Sequence, residues 1–110
     1  MKLLILPGDG IGPEISRVVA NVVECLNNKL DLGIELKEKD VGFTALEGYG
    51  TTFPADVAKE AEASDGIILG PSDSAAYPSP ERGGVNLSAA FRRKFDLFAN
   101  IRPAKSWAGI

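Results

Sequence analysis

Residues 3–14 read LLILPGDGIGPE and decide the fold of this 110-residue chain. The first four are a continuous apolar run, which is typical of a strand covered on both faces. A glycine-rich loop follows, and Pro13 suits the first turn of a helix, where its missing N–H group costs nothing. The stretch therefore predicts a buried strand, a tight turn and a helix.

Working outward, the pattern predicts alternating helices and strands. Apolar residues at helical spacing from Ile15 to Leu26 indicate an amphipathic helix that ends near Asn27-Asn28. The other predicted elements are a strand over 34–41, an irregular or partly helical segment over 43–53, a helix over 54–63, a strand over 67–69, a long loop over 70–85, a helix over 87–94 and a fourth strand over 97–101. This alternation predicts an α/β fold with parallel strands.

Composition limits the classes of function. The net charge of −3 and the pI of about 4.9 argue against nucleic acid and anionic membranes as partners. No apolar run approaches the length of a membrane span. The single cysteine, Cys25, cannot form an internal disulfide, so we expect a cytoplasmic protein. The absence of histidine excludes His-based acid–base chemistry and His-ligated metals from these residues.

The glycine loop admits three interpretations. A Rossmann-type pyrophosphate site needs a small residue where this chain has Pro13, so that interpretation is disfavoured. A tight turn with several residues at positive φ explains the glycines without a ligand. The intermediate interpretation is that the loop offers its backbone, with Ile11 as an apolar surface, to part of a ligand.

Two arginines are candidate ligands for a small polycarboxylate. Arg92 falls on a predicted helix behind the neutral polar residues Asn86 and Ser88, and Arg102 falls at the end of the predicted fourth strand. A guanidinium can bind a carboxylate through two hydrogen bonds and remains charged at any working pH. Two unrelated surface arginines would give the same spacing.

Three blocks of the sequence resemble the isocitrate/isopropylmalate dehydrogenase family. They are LPGDGIGPE at 6–14, ILGP at 68–71, and Arg92 followed by DLFANIRPAK at 96–105. The resemblance implies an isopropylmalate dehydrogenase-like α/β fold, with a partial parallel sheet and helices on both faces. It also implies that residues 1–110 form the N-terminal part of the large domain and end at the crossover toward the second domain.

The resemblance further implies a metal-dependent oxidative decarboxylation of a malate-type 2-hydroxy acid, a di- or tricarboxylate, with NAD or NADP. Arg92, Arg102, Ser88 and Asn86 would bind the substrate. The cofactor cleft would include Ile11, Gly70, Pro71 and Ser72. The catalytic Tyr and Lys of the family and the aspartates that bind Mg²⁺ or Mn²⁺ lie downstream, so we expect no catalytic or metal residue here. The complete protein would be a homodimer, and this chain alone would be inactive.

Two departures from the family pattern qualify these expectations. Four residues before Arg92 this chain has Ser88, where isopropylmalate enzymes look to carry a leucine that contacts the isopropyl group and isocitrate enzymes an asparagine. Because serine cannot supply an apolar wall, we predict an isocitrate-like, polar or very small side group in preference to isopropylmalate. Val85 replaces a glutamate on the nicotinamide side of the cofactor. The alternative to an enzyme is a non-catalytic α/β module that binds a polycarboxylate or a partner chain.

Overall fold

The computed structural model describes residues 1–107 and 109. In chain order the elements are β1 (Lys2–Leu6), α1 (Gly12–Leu30), β2 (Glu35–Glu38), α2 (Gly42–Tyr49), α3 (Ala55–Glu62), β3 (Gly66–Leu69), a 3₁₀ turn (Pro80–Arg82) and α4 (Leu87–Lys94). The predicted strand–turn–helix at the start of the chain is confirmed.

The three strands form one parallel sheet in the order β2-β1-β3. Leu3 in the central strand pairs with Leu36 on one side and with Gly66 on the other. The chain leaves β1 toward one neighbour and later returns to its opposite side. The gap between β1 and β3 is therefore a topological switch point, where ligands of α/β proteins bind.

Helices cover both faces of the sheet, as the predicted α/β fold requires. On one face Leu4 and Leu6 pack in a single buried cluster with Val57 of α3 and with Leu87 and Phe91 of α4. Alternate side chains of a strand point to opposite faces, so the buried Ile5 lies on the other face, and α1 contacts β1.

The apolar stripe of α1 lies largely in solvent, although its position in the sequence was predicted. Val18 is 59% exposed, Val22 53% and Leu26 46%. The helix also continues beyond the predicted end at Asn27-Asn28. The Asn27 side chain exchanges two hydrogen bonds of 2.9 Å with the backbone of Ile34, which joins the last turns of α1 to the segment that enters β2.

The predicted fourth strand is wrong, because residues 97–101 form no strand. Phe98 and Ile101 are exposed there, and in the part of the chain that the structure describes β3 pairs only with β1. A strand exists only where a neighbour accepts its hydrogen bonds, which the residue pattern alone cannot supply. The predicted strand over 34–41 is shorter than expected, and the segment over 43–53 begins as the helix α2.

Candidate functional site

A cleft of about 440 Å³ opens at the carboxyl ends of β1 and β3, at the switch point of the sheet. The loop after β1 forms one wall and the loop after β3 forms the other, while the first turn of α2 closes one side. The lining residues are Asp9, Gly10, Ile11, Phe43, Pro71, Ser72 and Asp73. Apolar and polar groups therefore face the same space.

The two loops are in direct backbone contact at Gly8 and Asp9. The Asp9 N–H group donates to the Pro71 carbonyl at 2.8 Å. Gly8 has a φ of +75°, and a Cβ atom there would lie 2.1 Å from the same carbonyl oxygen. Only glycine permits both the left-handed conformation and this close approach. The tight turn expected from the sequence is thus observed, and it brings the two walls together.

The Asp9 carboxylate joins three separate segments of the chain. Its Oδ1 atom accepts a hydrogen bond from the Phe43 N–H group at 2.8 Å. Its Oδ2 atom accepts from the Asp73 N–H group at 2.9 Å and from the Tyr77 hydroxyl. The residue pattern gave no indication of these long-range partners. An acidic residue flanked by two glycines was the only available signal.

Tyr77 connects the long loop to the start of α2. Its ring meets Phe43 edge to face with centroids 5.0 Å apart, and both rings are half-buried. Burial, and after it the hydrogen bond to Asp9, raises the pKa of Tyr77 above its ordinary value. The hydroxyl therefore remains a donor throughout the neutral range. The residue pattern around Tyr77 indicated no role for it.

Three of the predicted cofactor residues line the cleft together. Ile11 is 66% exposed and offers a flat apolar surface, while Pro71 and Ser72 lie on the opposite wall. Gly70 lies just behind them, where its N–H group donates to the Leu6 carbonyl at 2.8 Å and extends the pairing of β3 with β1. The structure therefore brings the four residues together, and their contact with a cofactor stays a prediction.

The chemistry of the lining fits a neutral part of a dinucleotide better than its pyrophosphate. No lysine or arginine lines the cleft, and two of its residues are aspartates. An apolar wall with nearby carboxylate and hydroxyl groups suits a base and its ribose hydroxyls. Among residues 1–107 and 109 no group of three or more Cys, Asp or Glu side chains could hold a metal ion.

The predicted substrate residues divide between two places. Ser88 and Arg92 share a cavity of about 230 Å³ whose other walls are apolar: Ile67, Leu69, Phe91, Phe95 and Leu97. The Arg92 Nε–H group donates to the Ser88 carbonyl at 3.2 Å, one turn earlier in α4. The apolar walls give no support to the expected preference for a polar side group.

Asn86 and Arg102 do not join Ser88 and Arg92 in that cavity. The Asn86 side chain caps α4 by accepting from the Ala89 N–H group at 2.9 Å, and its Nδ2 group donates to Ser74. Arg102 lies in the exposed segment after α4, where its Nε–H group donates to the Asn100 side chain at 3.3 Å. Within the described residues the two arginines therefore do not form the expected pair.

The loop over 70–85 is anchored at its far end by Thr52. The Thr52 hydroxyl accepts from the Val85 N–H group at 2.8 Å and lies 3.0 Å from the Val85 carbonyl, to which it donates. Its backbone N–H group donates to the Gly83 carbonyl at 2.9 Å. Thr52 is fully buried, so the far end of the loop is fixed to the segment between α2 and α3. Within the described residues, no helix has the length and apolar character needed to span a membrane.

Comparison with known proteins identifies the relatives of this arrangement. Residues 2–110 match the family model described as isocitrate/isopropylmalate dehydrogenase. The chain belongs to the isocitrate/isopropylmalate dehydrogenase family. It is 41% identical to the 3-isopropylmalate dehydrogenase of Hahella chejuensis over 109 residues and to that of Novosphingobium aromaticivorans over 113 residues. These alignments cover 94% and 100% of this chain, which spans 29% and 31% of the two relatives.

Solved structures of the family confirm the fold. A β-decarboxylating dehydrogenase from Thermococcus kodakarensis matches with a TM-score of 0.67 at 20% identity, over 86% of this chain and 26% of that protein. Isocitrate dehydrogenase from Methylococcus capsulatus matches with a TM-score of 0.63 at 26% identity, over 83% of this chain and 24% of that protein. The α/β sheet described above is therefore the sheet of this family.

Proposed function

We propose that this chain is the N-terminal part of the large domain of a metal-dependent, NAD- or NADP-linked oxidative decarboxylase. Its substrate would be a malate-type 2-hydroxy acid carrying two or three carboxylates. The observation that carries the proposal is the convergence of Ile11, Pro71 and Ser72 on one cleft at the switch point of a family sheet. A homodimer and a cytoplasmic location belong to the same proposal.

The residues of this chain would bind and orient rather than transform. Ile11 and the Pro71–Ser72 turn would hold the base and ribose end of the dinucleotide, which supplies the hydride acceptor when bound. Arg92 would bind a substrate carboxylate, because its guanidinium stays charged and lies at the surface of α4. Arg102 would join it only after the segment that follows α4 changes position. The metal would be held by residues outside this chain.

The observations disagree on whether the side group of the substrate is polar or apolar. Ser88 favours a polar or small group, because a serine side chain cannot supply an apolar wall. The relatives named 3-isopropylmalate dehydrogenase lend that preference no support, and the walls around Ser88 are apolar. The comparison of isopropylmalate with isocitrate and malate is therefore the decisive measurement.

The test is a panel of 2-hydroxy di- and tricarboxylates, assayed on the complete protein that contains this chain, with NAD or NADP and with Mg²⁺ or Mn²⁺. We expect metal-dependent formation of reduced cofactor and carbon dioxide from at least one substrate. Efficient turnover of isopropylmalate would refute the preference inferred from Ser88 and leave the reaction class standing. No turnover of any malate-type acid would refute the reaction class.

The alternative, a non-catalytic module, is distinguished by the same protein preparation. The intact mass of the natural polypeptide, measured by mass spectrometry, states whether the residues that the family uses for catalysis accompany this chain. A mass equal to that of 110 residues alone would favour a binding module. In that case we expect the chain to bind a polycarboxylate or a partner chain and to reduce no cofactor.

A further inference from the structure

We propose that Asp9 and Tyr77 form a latch that positions the walls of the cofactor cleft before the cofactor binds. The inference rests on the proposed function, since it assigns the purpose of the latch to that cleft. It makes both residues positioning residues, with no requirement that either touches the reacting atoms.

One carboxylate, that of Asp9, holds two walls of the cleft at once. Phe43 and Asp73 both line the cleft, and the backbone N–H group of each donates to Asp9, at 2.8 and 2.9 Å. They lie 34 and 64 positions along the chain from Asp9. A change at Asp9 would therefore release both walls.

The chain at the start of α2 leaves room for the Asp9 carboxylate. A Cβ atom at Gly42 would lie 2.2 Å from Asp9 Oδ1, and Gly42 has a φ of +71°. Any side chain there would displace the carboxylate and would also strain the backbone. The first turn of α2 is therefore built around Asp9.

The loop over 70–85 contains no strand that would hold it to the sheet. At Tyr77 it is held by the hydroxyl, which donates to Asp9 Oδ2, and by the edge contact of the ring with Phe43. A wall fixed in advance spares the ligand the entropy cost of ordering a loop. Losing the hydroxyl would leave the loop more mobile and would weaken dinucleotide binding.

The experiment compares the wild-type complete protein with Tyr77→Phe and Asp9→Asn. Tyr77→Phe removes only the donor, while Asp9→Asn keeps one acceptor oxygen and replaces the other with a donor. Tyr49→Phe is the matched control, because Tyr49 is 68% exposed on α2. Two quantities are measured: amide hydrogen exchange over residues 42–46 and 71–77, and the affinity for NAD and NADP with the KM and kcat of the reaction.

We expect Tyr77→Phe to speed exchange over 71–77 and to raise the dinucleotide Kd and KM roughly ten-fold. The kcat value and the KM for the hydroxy acid should stay close to wild type, and the melting temperature should fall only by the amount that the loss of one hydrogen bond causes. Asp9→Asn should speed exchange over both segments, and the effects of the two substitutions should be less than additive. Tyr49→Phe should change none of these quantities.

Two results would overturn the proposal. Unchanged exchange in both variants would show that no latch exists, whether or not the protein binds a dinucleotide. Faster exchange accompanied by a rise of the same factor in both KM values and by a fall in kcat would show a general structural role. If the wild-type protein binds neither NAD nor NADP, the proposed function fails and the purpose of the latch fails with it, while the exchange data still decide whether the latch forms.

Discussion

Two polar side chains, those of Asp9 and Thr52, hold the two ends of the loop over 70–85. Asp9 and Thr52 each join segments more than thirty positions apart through short hydrogen bonds. Neither residue type by itself predicts such long-range contacts, because aspartate and threonine are common in turns. Arg92 and Ser88, which were predicted, do meet, whereas Arg102 is separated from them because the segment after α4 lacks a partner strand.

The raised pKa of Tyr77 predicts an alkaline loss of stability. The pKa in the folded state exceeds the unfolded value of 10.0, because burial and the Asp9 carboxylate disfavour the phenolate. The contribution to folding is therefore complete below the unfolded pKa and is lost as the pH rises through that value toward the folded pKa.

The measurement is the free energy of unfolding in urea at about pH 8 and about pH 11. We expect the stability of the wild type to fall more between these pH values than that of Tyr77→Phe, with Tyr49→Phe behaving like the wild type. Equal decreases in all three proteins would contradict the prediction.

At the scale of elements, most helices and strands could be predicted because prolines and glycines mark their boundaries. Pro13, Pro54 and the glycines of the first loop locate the starts of α1 and α3 and the end of β1. The fourth strand could not be judged this way. Its apolar residues satisfy a strand pattern, but pairing depends on a neighbour that a local pattern does not contain. For the same reason the loops after β1 and β3 meet as the residue pattern suggests, whereas Arg102, which follows the missing strand, lies outside the cavity of Arg92, and the roles of both groups stay predictions.

Thr52 provides an element-scale prediction about the long loop. Thr52→Val keeps the shape of the side chain but removes the hydroxyl, which leaves the Val85 N–H group without its acceptor in a half-buried position. An unsatisfied buried donor costs about 1–3 kcal/mol, so we expect a decrease of that size in the free energy of unfolding.

Thr44→Val is the matched control, because it makes the same chemical change at an exposed position of α2. Urea unfolding followed by circular dichroism compares the three proteins. A decrease of similar size for both substitutions would show that the Thr52 hydroxyl does not anchor the loop.

At the scale of the whole molecule, the apolar stripe of α1 is exposed and one edge of β3 is paired by no other described strand. Two residues of the stripe, Val18 and Val22, are 59% and 53% exposed. Contiguous apolar surface and an unpaired strand edge both favour association. We therefore expect the isolated 110-residue chain to bind a hydrophobic dye and to associate as its concentration rises.

Val22→Lys tests this expectation without changing the buried cluster. The substitution places a charge in the middle of the exposed stripe, so we expect weaker dye binding and a smaller particle in sedimentation velocity. Arg17→Lys, a charge-conserving change on the exposed surface of the same helix, is the control. A wild-type chain that stays monomeric and binds no dye would contradict the prediction.

The position of β1 at the centre of the sheet has a consequence for synthesis on the ribosome. Of the three described strands β1 is made first, yet its second neighbour, β3, contains the pairing partner of Leu3 at Gly66. The Lys2–Asp65 contact spans 63 positions, so at 5–20 residues per second the nascent β1 waits roughly 3 to 13 seconds for that side to close. Throughout this interval at least one edge of an apolar segment is open, and a chaperone that recognises such segments can bind it.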